Sequence, residues 1–314
     1  IWLAALAAAC LFVLAGGSAA QASISSLTHT GDMSDEGAGS AATYTMNTQL
    51  QYNGSAVDGG DDAKALVFDW PTGLQSDPNQ VPIADRCNGG GAGFDYNGGS
   101  AGLGIPADIQ TSLAAPDYGW CENNAAHSLV GRIRIDVRVV ALGTECPAIM
   151  RGKFFLLRNR PNPDPEVPVY AGINLAGGMQ NAGGGGTCDF LGGLSSVPDM
   201  NLTAKIVVRP DDQGLRVIML NPFPRQQTAS GPFGIPITVP LRVDRIAQSL
   251  MARTTKGRPF TRVPTRCDGW ESIAWAQSYN GGGGQTQYPP GMPNASPWQR
   301  GASTMAPNCD GLTA

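Results

Sequence analysis

The segment Val130–Leu142, with the sequence VGRIRIDVRVVAL, decides the fold class of this chain. Between Arg132 and Val139, charged residues alternate one for one with β-branched residues. A period of two residues places the two sets on opposite faces of a β-strand. We therefore predict an antiparallel strand that turns its β-branched side chains into a core and its charged side chains to solvent.

Similar strand signals recur along the chain and are separated by turn residues. We predict further strands over Ala42–Tyr52, Ala65–Phe68, Lys153–Leu157, Val167–Leu175, Leu202–Val208, Leu215–Leu220, Ile235–Val243 and Ser272–Tyr279. Arg209–Arg216 is typical of a hairpin with a short polar loop. Asp244–Ala252 has some helical character, but we interpret it as more strand or a bent connection. No alternation of strands and helices is present, so the pattern predicts an all-β protein, an antiparallel β-sandwich of immunoglobulin-like or larger size.

The composition fits a folded chain with long loops. The 314 residues include 42 Gly and 24 Pro, and 15% of them are charged. The glycines lack a period of three, which excludes collagen, and the low charge argues against general disorder. We predict that the glycine-rich tracts 89–104, 177–186 and 281–284 are exposed loops without regular structure.

The N-terminus has the pattern of an export signal. Residues 2–15 are apolar, and Ala20-Gln21-Ala22 supplies a site for signal cleavage. We assign residues 1–22 to a signal peptide whose basic first part is missing, and 23–314 to an exported β-rich region. Two sandwich subdomains with a boundary near residue 195 are an alternative to one. The mature chain has no apolar run long enough for a transmembrane helix.

Six cysteines remain after the signal peptide: Cys87, Cys121, Cys146, Cys188, Cys267 and Cys309. An even number in an exported chain predicts disulfides. Six cysteines allow 15 connectivities, among which the sequence does not choose. We favour pairing in sequence order, since each bridge would then close a Gly/Pro-rich loop and restrict its unfolded state.

Charge is unevenly distributed along the chain. The net charge is −11 from residue 23 to 125 and +7 from 126 to 314, and the densest cationic stretch is Leu241–Arg266. Such a patch would suit an anionic cell-envelope polymer or the acidic half of a neighbouring copy. Alternatively, the two halves are intermixed in the fold. The overall charge of −4 and the lack of a basic and aromatic recognition motif argue against nucleic acid.

Two short motifs resemble functional sites but lack the necessary context. Gly98–Gly102 fits the G-x-S-x-G pattern of hydrolases without the strand and helix that this motif requires. Asp58–Asp62 is rich in carboxylates but lacks the spacing of a calcium-binding loop. With only two histidines, His29 and His127, the sequence also offers little for a catalytic triad. We predict no catalytic residues, no metal site and no cofactor.

Aromatic residues near the C-terminus are the remaining candidates for ligand binding. Trp270, Trp298 and Tyr279 would suit a surface on which sugar rings stack. Trp275 alternates with Ile273 in a predicted strand, so we expect it to pack in a core.

Several segments resemble large secreted β-rich proteins of unknown function from soil actinobacteria. The matching phrases are Asp69-Trp70-Pro71-Thr72-Gly73-Leu74 up to Cys87, then Cys121 with Val130-Gly131, and Pro259-Phe260 up to Cys267 and Cys309-Asp310. Trp70 departs from the pattern, because relatives tend to have Leu-Pro there. The resemblance implies secretion, β-structure and the pairs Cys87–Cys121 and Cys267–Cys309, and it implies no enzymatic activity.

These observations lead to two functional hypotheses. The first is a non-catalytic structural or adhesive protein that is secreted or lies on the cell surface. The alternative is a protein that binds or modifies carbohydrate through exposed aromatic residues.

Overall fold

The computed structural model describes residues 24–35, 37–54, 63–86, 128–141, 144–157, 169–178, 200–209, 211–212, 214–220, 226–230, 236–265, 270–278 and 298–305. Within these ranges the protein is all-β, as predicted, with two short 3-10 turns at Pro78–Gln80 and Ile83–Asp85. The strands are β1 (Ile24–Met33), β2 (Tyr44–Tyr52), β3 (Ala63–Asp69), β4 (Gln75–Ser76), β5 (Leu129–Ala141), β6 (Thr144–Leu156), β7 (Val169–Gly178), β8 (Met200–Val208), β9 (Leu215–Leu220), β10 (Gln226–Ser230), β11 (Pro236–Leu250), β12 (Thr261–Arg262), β13 (Trp270–Ser278) and β14 (Trp298–Met305).

The strands form an open antiparallel path that folds into two layers. The hydrogen-bonded order is β1-β2-β11-β5-β6-β7-β8-β9-β3-β13-β14, with β10 also on β11 and a separate pair formed by β4 and β12. Strands distant along this path face each other. The ring of His29 in β1 lies 6.4 Å from the ring of Phe68 in β3. The ring of Tyr44 in β2 lies 6.4 Å from that of Trp70, directly after β3. The apolar faces of the two layers therefore share one core.

The alternation in β5 is confirmed. Ile133, Ile135, Val137 and Val139 are buried, whereas Arg132, Arg134 and Arg138 are exposed. Since the inward residues pack against the opposite layer, burial of apolar surface holds this strand in its register. The hairpin predicted over Arg209–Arg216 is also confirmed, because β8 pairs with β9 across it.

The ambiguous segment after Val243 continues as strand β11. Val243 and Ile246 are both buried, although two polar residues separate them. The pairing of β11 with β5 shifts between Val243 and Arg245, as in a β-bulge. A bulge inserts one extra residue into a strand, so that the side chains beyond it again point to the correct faces of the sheet. This local insertion explains why the sequence departs from strict alternation there.

Strands β1, β4, β10, β12 and β14 were not predicted. A Cβ on Gly301 in β14 would lie 2.9 Å from the carbonyl oxygen of Leu27 and 3.0 Å from the backbone nitrogen of His29. The backbones of β14 and β1 therefore approach closely at a position that only glycine fits. Small and polar residues at such contacts remove the apolar alternation on which the prediction depends.

Strands from before and after residue 195 pair with one another. Strand β2 pairs with β11, and β3 lies between β9 and β13. A division near residue 195 would therefore cut hydrogen-bonded ladders within the described strands. The glycine tract 177–186 was predicted to lack regular structure, but its first two residues belong to β7, where Gly177 pairs with Met150. The other glycine-rich residues lie outside the described ranges.

Candidate functional site

A cationic groove lies on the outer face of β5 and β6, away from the core. Arg132 and Arg134 on β5 line it together with Arg151 and Lys153 on β6, and its volume is about 540 Å³. We call this feature the outer groove. Thr45 from β2 and the β11 residues Ala247, Gln248 and Ser249 contribute to its walls.

The strand register places cations directly opposite cations. Arg132 pairs with Lys153, and Arg134 pairs with Arg151. Like charges at opposed positions destabilise a sheet. Arg134 is compensated by Asp136, whose Oδ1 lies 2.7 Å from its Nε. Among the described residues that line the groove there is no carboxylate, so the groove is suited to a negatively charged ligand.

The opposite end of the same face is electrically balanced. Arg138 donates hydrogen bonds to Asp244 and Glu145, and the bond to Asp244 raises the pKa of Arg138. Arg242 contacts Glu145 at 3.4 Å and stacks over the ring of Tyr52 at 4.8 Å. At this end of the face, Arg138 and Arg242 therefore both have acidic partners.

The described cations of the densest cationic stretch in the sequence do not line this groove. The cations of Leu241–Arg266 contact separate partners. Arg245 donates a hydrogen bond to Asn47 at 2.6 Å, and Lys256 forms an ion pair with Asp85 at 2.6 Å. Asp69, also from the acidic half, is held by Arg216 at 2.6 Å. These contacts agree with the alternative that the acidic and basic halves are intermixed in space. No pattern of residues within one strand could have revealed the groove, because it depends on the pairing of β5 with β6.

The prediction that Trp270 and Trp298 form a surface on which sugar rings stack is wrong. Trp270 and Trp298 are both buried. Trp298 pairs with Gln277, seven residues after Trp270 on β13, and an odd separation along a strand places side chains on opposite faces. Trp270 accordingly belongs to the main core, whereas Trp298 packs with Trp275 in a second apolar cluster. The core position predicted for Trp275 is confirmed.

Cys146 is the predicted disulfide residue that the structure describes. It lies on β6 and is buried. The disulfides and their pairing remain predictions. The remaining predicted site residues (Tyr279, Cys87, Cys121, Cys188, Cys267 and Cys309) and the motifs 58–62 and 98–102 lie outside the described residues.

A buried serine and a buried histidine contact each other between the two layers, and the sequence did not reveal this contact. His29 Nε2 is 2.7 Å from Ser272 Oγ, and its Nδ1 is 2.8 Å from Thr48 Oγ1. Burial lowers the pKa of His29 to about 4, so the ring is neutral and a weak base. The third group is a hydroxyl rather than the carboxylate that stabilises an imidazolium in hydrolases. Tyr44 also hydrogen-bonds Ser272, and the network serves to join β1, β2 and β13.

No family model matches this chain, and no curated protein and no solved structure is detectably similar to it. Within the described ranges, no helix has the length and apolar character needed to span a membrane. The same ranges contain no group of three His, Cys, Asp or Glu side chains placed to hold a metal ion.

Proposed function

We propose that this protein is a non-catalytic, secreted or cell-surface protein of structural or adhesive type whose outer groove binds an anionic polysaccharide. The proposed fold is a β-sandwich with disulfides. Disulfides suit a secreted or cell-surface protein, because they persist in oxidising compartments outside the cytosol. The single observation that carries the proposal is the gathering of four cationic side chains, Arg132, Arg134, Arg151 and Lys153, around one groove. A groove lined by several charges of one sign attracts ligands of the opposite sign.

The geometry favours an extended polymer with spaced charges. Neighbouring strands are about 4.8 Å apart and successive outward residues about 6.7 Å apart, so the backbone positions of the four cations lie within about 8 Å of one another and can meet neighbouring charges of one chain. Thr45 and Ser249 add hydroxyl groups beside them. The described lining includes no aromatic side chain on which a nucleic-acid base would stack. These features support a carboxylate-bearing polysaccharide over a nucleic acid.

The test is a binding titration of labelled oligogalacturonate, with neutral dextran and duplex DNA as comparison ligands. We expect binding to oligogalacturonate that weakens with salt, because exposed charges are screened. The double variant Arg132→Ser, Arg134→Ser should lose about tenfold or more in affinity. Both side chains are exposed, so we expect this variant to fold.

A matched control separates the groove from bulk charge. Arg253→Ser with Arg300→Ser removes the same two charges from exposed positions outside the groove, and we expect the affinity to stay within about twofold of the wild type. Equal losses in the two double variants would reduce the effect to net charge and contradict the proposal. Tighter binding of duplex DNA at equal salt would show that the ligand class is wrong.

A further inference from the structure

An Asn-Gly step lies at the end of β2, outside the lining of the outer groove. Strand β2 ends at Tyr52, and Asn53 and Gly54 follow it in an exposed bend. Neither residue belongs to the ladders that join β2 to β1 and to β11. Among the described residues, none hydrogen-bonds the side-chain amide of Asn53 or the backbone N–H of Gly54. These two groups are therefore available to react with each other.

Glycine at position 54 is the residue type that shields its backbone nitrogen least. The φ of Gly54 is 107°, in a region that residues with a side chain rarely adopt. A residue with a Cβ at this position would be strained, so the bend requires glycine. Because glycine has no Cβ, the preceding side chain reaches the Gly54 nitrogen without a steric barrier. The fold therefore places an unshielded backbone nitrogen directly after Asn53.

An asparagine in this setting can react with the backbone that follows it. Attack of the Gly54 nitrogen on Cγ of Asn53 closes a five-membered ring, and intramolecular attack of this kind has a high effective concentration. A bond forms between the Gly54 nitrogen and Cγ, the bond from Cγ to the amide nitrogen breaks, and ammonia leaves with the proton from Gly54. Water then opens the cyclic imide at one of its two carbonyl carbons, which yields either aspartate or isoaspartate.

The carbonyl group of Gly54 is held by a buried cation on β11. Its oxygen accepts a hydrogen bond from Nη1 of Arg242 at 3.2 Å, and Arg242 is 7% exposed. The contacts of this guanidinium with Glu145 and Asp244 are longer, at 3.4 Å. Its Nε has no hydrogen-bond partner among the described residues. Loss of the Gly54 bond would therefore leave a buried charge poorly satisfied, which is costly.

We propose that Asn53 deamidates spontaneously and that its isoaspartyl product releases the end of β2 from Arg242. Isoaspartate routes the backbone through the former side chain, which inserts one methylene group between Asn53 and Gly54. The inserted bond is about 1.5 Å long, which is enough to take the Gly54 oxygen out of hydrogen-bond range of Nη1. Asn53 is therefore a modification site whose product weakens a contact between β2 and β11.

The first test follows the reaction by peptide mapping of the full chain during incubation at mildly alkaline pH. Mass spectrometry detects the change from amide to acid at Asn53, and the same chain unfolded in guanidinium chloride supplies the unhindered rate. We expect the rate in the folded protein to lie within about threefold of the unfolded rate, because the bend is exposed. Asn53→Gln should leave this peptide unchanged, since the longer side chain closes a ring far more slowly. A folded rate more than about tenfold below the unfolded rate would overturn the proposal.

The second test isolates the effect of the inserted methylene group. The isoaspartyl form is purified by chromatography and compared with Asn53→Asp, which carries the same new charge without the insertion. We expect the unfolding equilibrium constant of the isoaspartyl form to be about tenfold larger. On an Arg242→Met background this difference should fall to about twofold or less. Equal stability of the two forms, or a difference that persists without Arg242, would overturn the proposed release. If Arg242→Met fails to fold, the comparison with Asn53→Asp still decides the result.

Discussion

Gly214→Ala tests whether a buried arginine fastens the β8–β9 hairpin to the rest of the fold. A Cβ at position 214 would lie 2.0 Å from Nη2 of Arg209 and 2.5 Å from its Cζ. Both distances are far inside van der Waals contact, so the guanidinium must move. Arg209 is 6% exposed, and there is little room around it for that movement.

The cost follows from the bonds that the displaced guanidinium would lose. Arg209 donates to Asp212 at 2.6 and 2.8 Å and to the carbonyl oxygens of Trp70 and Leu215 at 3.1 and 3.2 Å. Asp69, which is also buried, lies 3.7 Å from the same side chain. Disrupting a buried ion pair while its partners stay in place costs about 3–5 kcal/mol. We therefore expect the free energy of unfolding to fall by about 3–4 kcal/mol.

Urea unfolding followed by tryptophan fluorescence measures this loss, and two controls isolate its cause. Gly257 has a φ of +76° with nothing within 4 Å of an added Cβ, so Gly257→Ala reports backbone strain alone, about 1–2 kcal/mol. On an Arg209→Met background, Gly214→Ala should cost less than about 1 kcal/mol, because the obstructing group is gone. An equal cost on both backgrounds, or a loss below that of Gly257→Ala, would refute the proposed role of Arg209.

Two further predictions concern the buried histidine and the cysteines. Burial lowers the pKa of His29 to about 4 in the folded protein, below about 6.5 in the unfolded chain. The unfolded state therefore binds the proton first, and the free energy of unfolding falls by up to about 3 kcal/mol from pH 6.5 to pH 4. His29→Gln should remove this part of the urea-unfolding pH profile, and a profile unchanged by the substitution would contradict the assignment. Mass spectrometry of the unreduced chain should join Cys146 to Cys188; a Cys87–Cys188 peptide would rule out pairing in sequence order.

The sequence predicts strands where one face alone contacts the core. Strand β5 is the clearest case, since every second residue from Ile133 to Val139 is buried and apolar. In β1 the inward-facing residues include His29 and Gly31, and in β14 they include Gly301. Polar and small residues there are required by contacts between strands distant in the chain. Local alternation therefore could not reveal them.

The candidate sites depended even more on tertiary structure. The sequence analysis identified the outward cations of β5, but their opposition to the cations of β6 requires the register of Arg132 with Lys153. It also proposed Trp270 and Trp298 as one surface, whereas the pairing of β13 with β14 puts them on opposite faces.

The sequence by itself determined the all-β class and the positions of most strands, because a period of two residues is a property of each segment alone. Tertiary structure decided which strands became neighbours, and so which charges meet in the outer groove. Strand β3, for example, lies between β9 and β13 although some 150 residues or more separate it from each along the chain. Such pairings are selected by the packing of the whole core, and no local pattern records them.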